Sequence, residues 1–163
     1  MKFKILFVAN LSLAIFCMVF SSCKSNDQNI QSTTHTVSVD SLMQEFLNGW
    51  NDRDSLVIMN TLADNAIVMN DSLIHKGAAD ISKNWVSGGT KVLSNIQVNS
   101  LVKEVNESIA YDGGTYSLDL TPPGRPLLKE KGNYSIIWSK QSNESWKITL
   151  VHIEDITRMP DIK

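Results

Sequence analysis

Apolar residues first recur with a helical period after the opening 38 residues. Leu42, Phe46 and Trp50 are spaced four residues apart, which places them on one face of a helix. Asn51-Asp52-Arg53 interrupts this pattern, and Asp54 is a suitable N-cap for a second, shorter helix. We expect these two helices to form an antiparallel corner.

The next segment combines a short strand with a third helix. Ala66 to Met69 is an apolar run suited to a strand, and Asn70-Asp71-Ser72 after it is a turn sequence. A third helix is expected to open at Gly77, to carry Trp85 on its apolar face, and to end at Gly88-Gly89.

Beyond Gly89 the hydrophobic period changes to two, which is the period of a strand. Ile96, Val98, Ser100 and Val102 share one face of the first long strand. Three further strands are predicted, at about 108–120, 128–139 and 146–154. Helices followed by a run of strands predict an α+β fold, in which a curved, mostly antiparallel sheet wraps three N-terminal helices.

The N-terminus has the pattern of a bacterial secretory signal. Lys2 and Lys4 precede a run of about 16 mostly apolar residues, which is shorter than the roughly 20 that span a bilayer. Phe20-Ser21-Ser22 then leads into Cys23, a string that resembles the lipobox of bacterial lipoproteins. We therefore expect an exported lipoprotein, anchored to a membrane through acylated Cys23 on the periplasmic side or at the cell surface. A plain signal peptide with an incidental cysteine is the alternative.

This interpretation divides the chain into four parts. Residues 1–22 form the signal peptide, 23–37 the acylated cysteine and a flexible polar tether, 38–158 one folded domain, and 159–163 a short tail. Loss of Lys2 and Lys4 moves the net charge from −2 to about −4, without a basic cluster. Nucleic acid is therefore not an expected partner.

Several strings in this order resemble the NTF2-like superfamily of cone-shaped α+β barrels, and most closely its SnoaL-like and DUF4440 branch. The strings that carry the resemblance are Trp50-Asn51-Asp52-Arg53-Asp54, Leu62-Ala63-Asp64-Asn65-Ala66, Lys76-Gly77 with Ile81 and Trp85, Gly132-Asn133-Tyr134 with Trp138, and Trp146-Lys147-Ile148. The resemblance covers about Val39 to Asp155, and it implies the same α+β cone.

Residues of this chain can be matched, one position at a time, to the catalytic positions of the ketosteroid isomerases, which belong to this superfamily. Phe46 stands where the resemblance implies a catalytic tyrosine, and Asn70 stands where it implies the carboxylate base. Phenylalanine has no hydrogen-bond donor and asparagine has no useful pKa, so we expect no isomerase chemistry of this type.

The sequence offers a second set of candidate catalytic residues. Histidine is the residue type whose ordinary pKa lies nearest neutrality, and alternation places His152 on the same face as Trp146, Ile148 and Leu150. A lyase, isomerase or cyclase that uses His152 with a carboxylate such as Asp71 is therefore one alternative. A single histidine on a strand is more often a structural residue of the barrel wall, or lies on its outer face, than a catalytic group. No metal-ligand spacing and no phosphate-binding glycine loop occur, so we expect no metal and no cofactor.

The numerous aromatic residues favour a binding function. Most fill the core, but a cone is open at its wide end, where rings can line a pocket. The predicted pocket residues are Trp50, Trp85, Met69, Tyr111, Tyr116, Trp138 and His152. The leading hypothesis is a domain that binds a small hydrophobic or amphipathic molecule, or a partner protein. A structural dimerisation module is the third alternative, and a homodimer is expected.

Overall fold

The computed structural model describes residues 37–160. The signal peptide 1–22, the acylation site Cys23 and the tether up to residue 36 lie outside the described residues, so their assignments stay predictions. Between residues 37 and 160, none of the helices is long and apolar enough to cross a bilayer.

Helices α1 (Val39–Asn51) and α2 (Ser55–Thr61) form the predicted corner. The carboxylate of Asp54 accepts the backbone N–H groups of Leu56 and Val57 at 2.9 and 3.1 Å, so it caps α2 as expected.

The third helical segment is longer than the sequence suggested. It consists of α3 (Gly77–Ile81), a π-helical turn (Ser82–Val86) and α4 (Ser87–Val92) in direct succession. The expected end at Gly88-Gly89 is wrong, because neither glycine adopts the left-handed conformation that ends a helix. Gly89 serves close packing instead. A Cβ atom there would lie 2.7 Å from the Trp50 ring.

Six strands form one curved, unclosed sheet in the order β2-β1-β6-β5-β4-β3. The strands are β1 (Leu62–Asn70), β2 (Leu73–Lys76), β3 (Leu93–Val105), β4 (Ile109–Leu120), β5 (Leu128–Lys140) and β6 (Trp146–Pro160). β1 and β6 are parallel, and the other neighbours are antiparallel. This confirms the α+β class. Met159 and Pro160, assigned to the tail, are the last residues of β6.

The core lies between the helices and the inner face of the sheet. Alternate residues of β5, namely Tyr134, Ile136 and Trp138, are buried there against Met43 and Phe46 of α1. Asn51 fixes the end of α1 to β3, since its side chain donates to the carbonyl oxygen of Ile96 and accepts from the Ile96 N–H. These contacts hold the C-terminal end of α1 beside the sheet.

Candidate functional site

A cavity of about 90 Å³ remains between α1 and the inner face of the sheet. Its lining is apolar except for four residues, which are Asn70, Tyr116, Glu130 and Tyr134. The apolar wall comes from α1, the π-helical turn and four strands; its members are Met43, Phe46, Leu47, Trp50, Trp85, Leu93, Ile96, Val98, Leu118, Ile136, Val151 and Ile153.

Three aromatic rings meet on the helical side of this cavity. The Trp50 and Trp85 rings are 4.8 Å apart between centroids at 72°, and Phe46 packs on both, edge-on to Trp50 at 6.2 Å and nearly parallel to Trp85 at 6.5 Å. Such arrangements suit the quadrupoles of the rings. Trp50 is buried, whereas Trp85, which lies in the π-helical turn, is half-buried. π-Helical turns are frequent at functional sites.

Tyr116 and Glu130 form the polar side of the cavity, on neighbouring strands. Gly132 lies directly across from Tyr116 on β5, and a Cβ atom there would collide with the Tyr116 ring 2.6 Å away. The glycine therefore lets the ring of Tyr116 lie flat over β5. In this position the Tyr116 hydroxyl donates a short hydrogen bond to Asp155 and is 3.3 Å from Oε1 of Glu130.

Arg158 holds the two carboxylates together. Its Nε donates to Oε2 of Glu130 at 2.7 Å, and its Nη2 donates to Oδ2 of Asp155 at 2.7 Å. These are charge-assisted hydrogen bonds, which are stronger than neutral ones. Tyr116, Glu130, Asp155 and Arg158 are called the mouth cluster below.

Burial changes the ionisation of this cluster. The pKa of Glu130 is raised, chiefly because the buried carboxyl loses hydration, and the nearby charge of Asp155 adds to this. Burial also raises the pKa of the Tyr116 hydroxyl, which its hydrogen bond to Asp155 reinforces. Tyr116 is therefore neutral near pH 7 and acts as a donor.

The cavity adjoins a more open recess of about 220 Å³. Asn70, Trp85, Leu93 and Glu130 line both spaces, and the recess adds Asp155 and Arg158 together with other polar residues, including His75 and Asn84. The mouth cluster thus lies where the apolar cavity meets the recess.

A second buried carboxyl lies deeper in the cone. Asp112 is 1% exposed and accepts hydrogen bonds from the hydroxyls of Tyr134, at 2.9 Å, and Ser100, at 2.7 Å. Burial, followed by the bond to Asp112, raises the pKa of Tyr134. Tyr134 lines the cavity, so Asp112 fixes the orientation of its ring from behind.

Three of the predicted pocket residues line the cavity, namely Trp50, Trp85 and Tyr116. Trp138 is packed in the core at 1% exposure. Phe46 and Asn70, the residues matched to isomerase catalytic positions, both line the cavity as well.

The remaining predicted residues lie elsewhere. On β1, Met69 alternates with Val68 and Asn70, which face inward, so it lies on the outer face of the sheet. Tyr111 is on the outer face of β4, where its hydroxyl lies over Gly113. Asp71 is exposed in the turn after β1, and its carboxylate accepts the Asp155 N–H at 2.9 Å.

His152 is placed on the opposite face from the one expected. Trp138 pairs with Ile148 but Ile137 pairs with Leu150, so β6 contains an extra residue, Thr149, between them. Such a bulge reverses the alternation of the strand. Val151 and Ile153 therefore line the cavity, and His152 between them is exposed on the outside. Because His152 lies on the outer face of β6, it has no geometric basis for catalysis in the cavity.

The sequence analysis missed Glu130, Asp155 and Arg158. Glu130 had a usable signal, because it continues the alternation of Gly132, Tyr134, Ile136 and Trp138 onto the buried face of β5. Asp155 and Arg158 had none, because they are three positions apart and simple alternation would place them on opposite faces. A second bulge, at Ile156, brings both to the cavity side of β6.

Among residues 37–160, no three His, Cys, Asp or Glu side chains are grouped so that they could hold a metal ion. The expected absence of metal and cofactor stays a prediction.

Comparison with solved structures identifies the fold. A ketosteroid isomerase-like protein from Erwinia carotovora atroseptica superimposes with a TM-score of 0.67 at 10% identity, covering 77% of this chain and 98% of that one. An NTF2-like superfamily protein from Salmonella enterica serovar Typhimurium superimposes with a TM-score of 0.61 at 15% identity, covering 72% of this chain and 87% of that one. No protein-family model matches the sequence, and no curated protein matches it.

At these identities the likeness establishes the architecture. The chain has the cone-shaped α+β fold of the NTF2-like superfamily, as the sequence strings predicted. Its placement in the SnoaL-like and DUF4440 branch stays a prediction. A fold of this kind is compatible with ligand binding and with isomerase-like chemistry.

Proposed function

We propose that the domain binds a small, partly hydrophobic molecule in the cavity between α1 and the sheet. The observation that carries this proposal is the composition of the cavity wall, which combines the three-ring cluster with a few convergent polar groups at one end. Ligand sites in proteins have this composition, with apolar walls that supply affinity and polar groups that set orientation.

The size of the cavity limits the ligand. An apolar cavity of about 150 Å³ holds a benzene ring, and sites for drug-sized molecules measure about 300–1,000 Å³. At about 90 Å³, this cavity has room for a short aliphatic chain, with polar atoms extending into the adjoining recess. The volume therefore argues against steroid-sized substrates independently of Phe46 and Asn70.

Tryptophan fluorescence and thermal shift test the binding proposal. Short-chain alcohols, amines and acids should include at least one compound that changes both signals, and Trp85→Leu should weaken its binding because the variant removes one of the three rings. His152→Ala is the matched control, because that side chain is exposed on the outer face of β6. A screen in which no compound changes either signal would count against the proposal.

We also propose that the domain is exported and anchored through acylated Cys23, which the N-terminal pattern of Lys2, Lys4, an apolar run and Cys23 supports. One acyl chain gives marginal membrane binding, whereas two or more give stable attachment. The expected homodimer is a further proposal, which light scattering of the purified protein would test.

A proton-transferring enzyme is a second candidate, and Glu130 is the residue that favours it. Its buried carboxyl borders the cavity and has a raised pKa, as a general acid or base near neutral pH requires. Deuterium exchange at the α-carbon of butanone, followed by NMR, would detect such activity. Glu130→Gln should abolish the exchange and exposed Glu154→Gln should preserve it; an equal rate in both variants would refute a catalytic role for Glu130.

A further inference from the structure

The charge balance of the mouth cluster indicates which ligands the cavity prefers. Three carboxylates, those of Glu130, Asp155 and Asp71, act electrostatically on the single guanidinium of Arg158. The junction of cavity and recess therefore carries excess negative charge when these groups are ionised. An anionic ligand would add to that excess, whereas a cationic one would reduce it.

The hydrogen bonds of the mouth cluster also favour a cationic ligand. A tyrosine hydroxyl has one proton to donate. Tyr116 gives that proton to Asp155 in the short bond, so the 3.3 Å contact leaves Oε1 of Glu130 weakly satisfied. Glu130 is 5% exposed and lines both the cavity and the recess, so a ligand with N–H donors that binds at this junction can give Oε1 a stronger hydrogen bond.

The aromatic side of the cavity suits the apolar part of such a ligand. Phe46, Trp50 and Trp85 line the same space as Glu130. Burial of a hydrocarbon chain against these rings is favourable because it removes apolar surface from water. The rings and the carboxylate together therefore favour a ligand with an apolar body and a cationic end.

Resting on the binding function proposed above, we infer that the ligand is a small aliphatic amine in its protonated form, with its ammonium group at Glu130 and its hydrocarbon chain against the three rings. The space of about 90 Å³ takes a short branched chain whose polar end extends into the recess.

Three isosteric probes separate charge from shape, namely isopentylamine, isopentanol and isovalerate. They have the same branched chain and carry a positive, a neutral and a negative end at pH 7. Titration of the full-length protein, followed by tryptophan fluorescence, should give an affinity for the amine about tenfold or more above that for the alcohol, since a hydrogen bond between charged groups is stronger than one to a neutral hydroxyl. Isovalerate should bind most weakly.

Substitutions test whether Glu130 is responsible for the preference for the amine over the alcohol. Glu130→Gln should reduce the amine-to-alcohol ratio to near one and leave alcohol binding in place, whereas Glu154→Gln should keep the ratio. Because Glu130→Gln also removes a partner of Arg158, Asp155→Asn serves as a second variant and should lower the ratio without abolishing it. Circular dichroism would verify that each variant is folded.

The pH dependence gives a check that needs no variant. The groups facing Glu130 are Tyr116 from β4 and Asp155 and Arg158 from β6, with Asp71 beyond Arg158 and His75 of β2 in the wall of the same recess. As the pH falls through the raised pKa of Glu130, the carboxylate is protonated, so amine affinity should fall while isopentanol affinity stays constant. Constant amine affinity between pH 7.5 and 4 would overturn the assignment.

The outcomes distinguish the two proposals. If isopentanol or isovalerate binds as tightly as the amine, the preference for cations is wrong, but the cavity remains a binding site. If none of the three probes changes the fluorescence at high millimolar concentration, the preference and the binding function proposed for this cavity both fail.

Discussion

Gly88 and Gly89 provide a sharp test of the packing that shapes the cavity. Both glycines lie in the interior of α4, where replacing glycine with alanine should stabilise the helix by about 1 kcal/mol. Their surroundings differ. A Cβ atom at Gly88 would meet nothing within 4 Å, whereas a Cβ atom at Gly89 would lie 2.7 and 3.0 Å from two carbons of the Trp50 ring.

The size of the expected difference in stability between the two variants follows from the space around Trp50. Carbon atoms prefer a separation of about 3.5–4.0 Å, so the ring would have to move by roughly 1 Å. Trp50 is 3% exposed and packs against Phe46 and Trp85, so this movement disturbs the whole ring cluster. Overpacking of a core costs about 1–3 kcal/mol. Gly88→Ala should therefore stabilise the protein by about 1 kcal/mol, and Gly89→Ala should be less stable than Gly88→Ala by about 1–3 kcal/mol.

Urea unfolding of the two variants measures this difference directly, because the gain in helix propensity is common to both. With a denaturant slope of about 2 kcal/mol per M, a difference of about 2 kcal/mol separates the midpoints by about 1 M. Tryptophan emission of folded Gly89→Ala should also change. Equal midpoints for the two variants would refute the contact between Gly89 and Trp50 and, with it, the position of the ring that closes the cavity.

Three further outcomes are expected. Cys23→Ser should release the protein from the membrane fraction and abolish fatty-acid labelling; unchanged labelling would refute the anchor. The unmodified protein should not isomerise a conjugatable ketone, with Phe46→Tyr combined with Asn70→Asp as the informative comparison; robust turnover without those changes would show that the residue matching is wrong. Lys129 chiefly lowers the pKa of Asp119, with help from Asn95, so this carboxylate stabilises the fold above pH 3.8 and the effect is lost as pH falls through the lowered pKa. Asp119→Asn should therefore unfold at lower urea concentration than the parent at pH 7, with a gap that closes in acid; a gap that persists at pH 2 would contradict this.

The helices and the helical side of the cavity could be predicted from the sequence because their signals are local. The four-residue spacing of Phe46 and Trp50 fixes the inner face of α1, and the side chain of Asp54 caps α2 by a bond within three residues. The π-helical turn around Trp85 and the continuation of the helix through Gly89 carried no such signal. The Trp50 ring lies against Trp85 and Gly89, and such tertiary contacts have no local sequence signal.

The polar side of the cavity could not be predicted because it depends on the register of β6. Simple alternation from Ile148 would face Leu150 and His152 inward and leave Val151 and Ile153 outside, and the bulge at Thr149 reverses this. The bulge at Ile156 reverses it again, which is why both Asp155 and Arg158 reach Glu130 although an odd number of positions separates them.

The two bulges together determine the chemistry of the site. The first places two aliphatic side chains, Val151 and Ile153, in the cavity wall, and so keeps a histidine out of the cavity. The second supplies Arg158 as the counter-charge without which Glu130 and Asp155 would repel each other next to the apolar wall. A β6 strand without the second bulge would turn Arg158 to the outer face and favour a protonated Glu130. The register of one strand therefore decides whether the cavity ends in a neutral carboxyl or in an ion cluster that selects its ligand by charge.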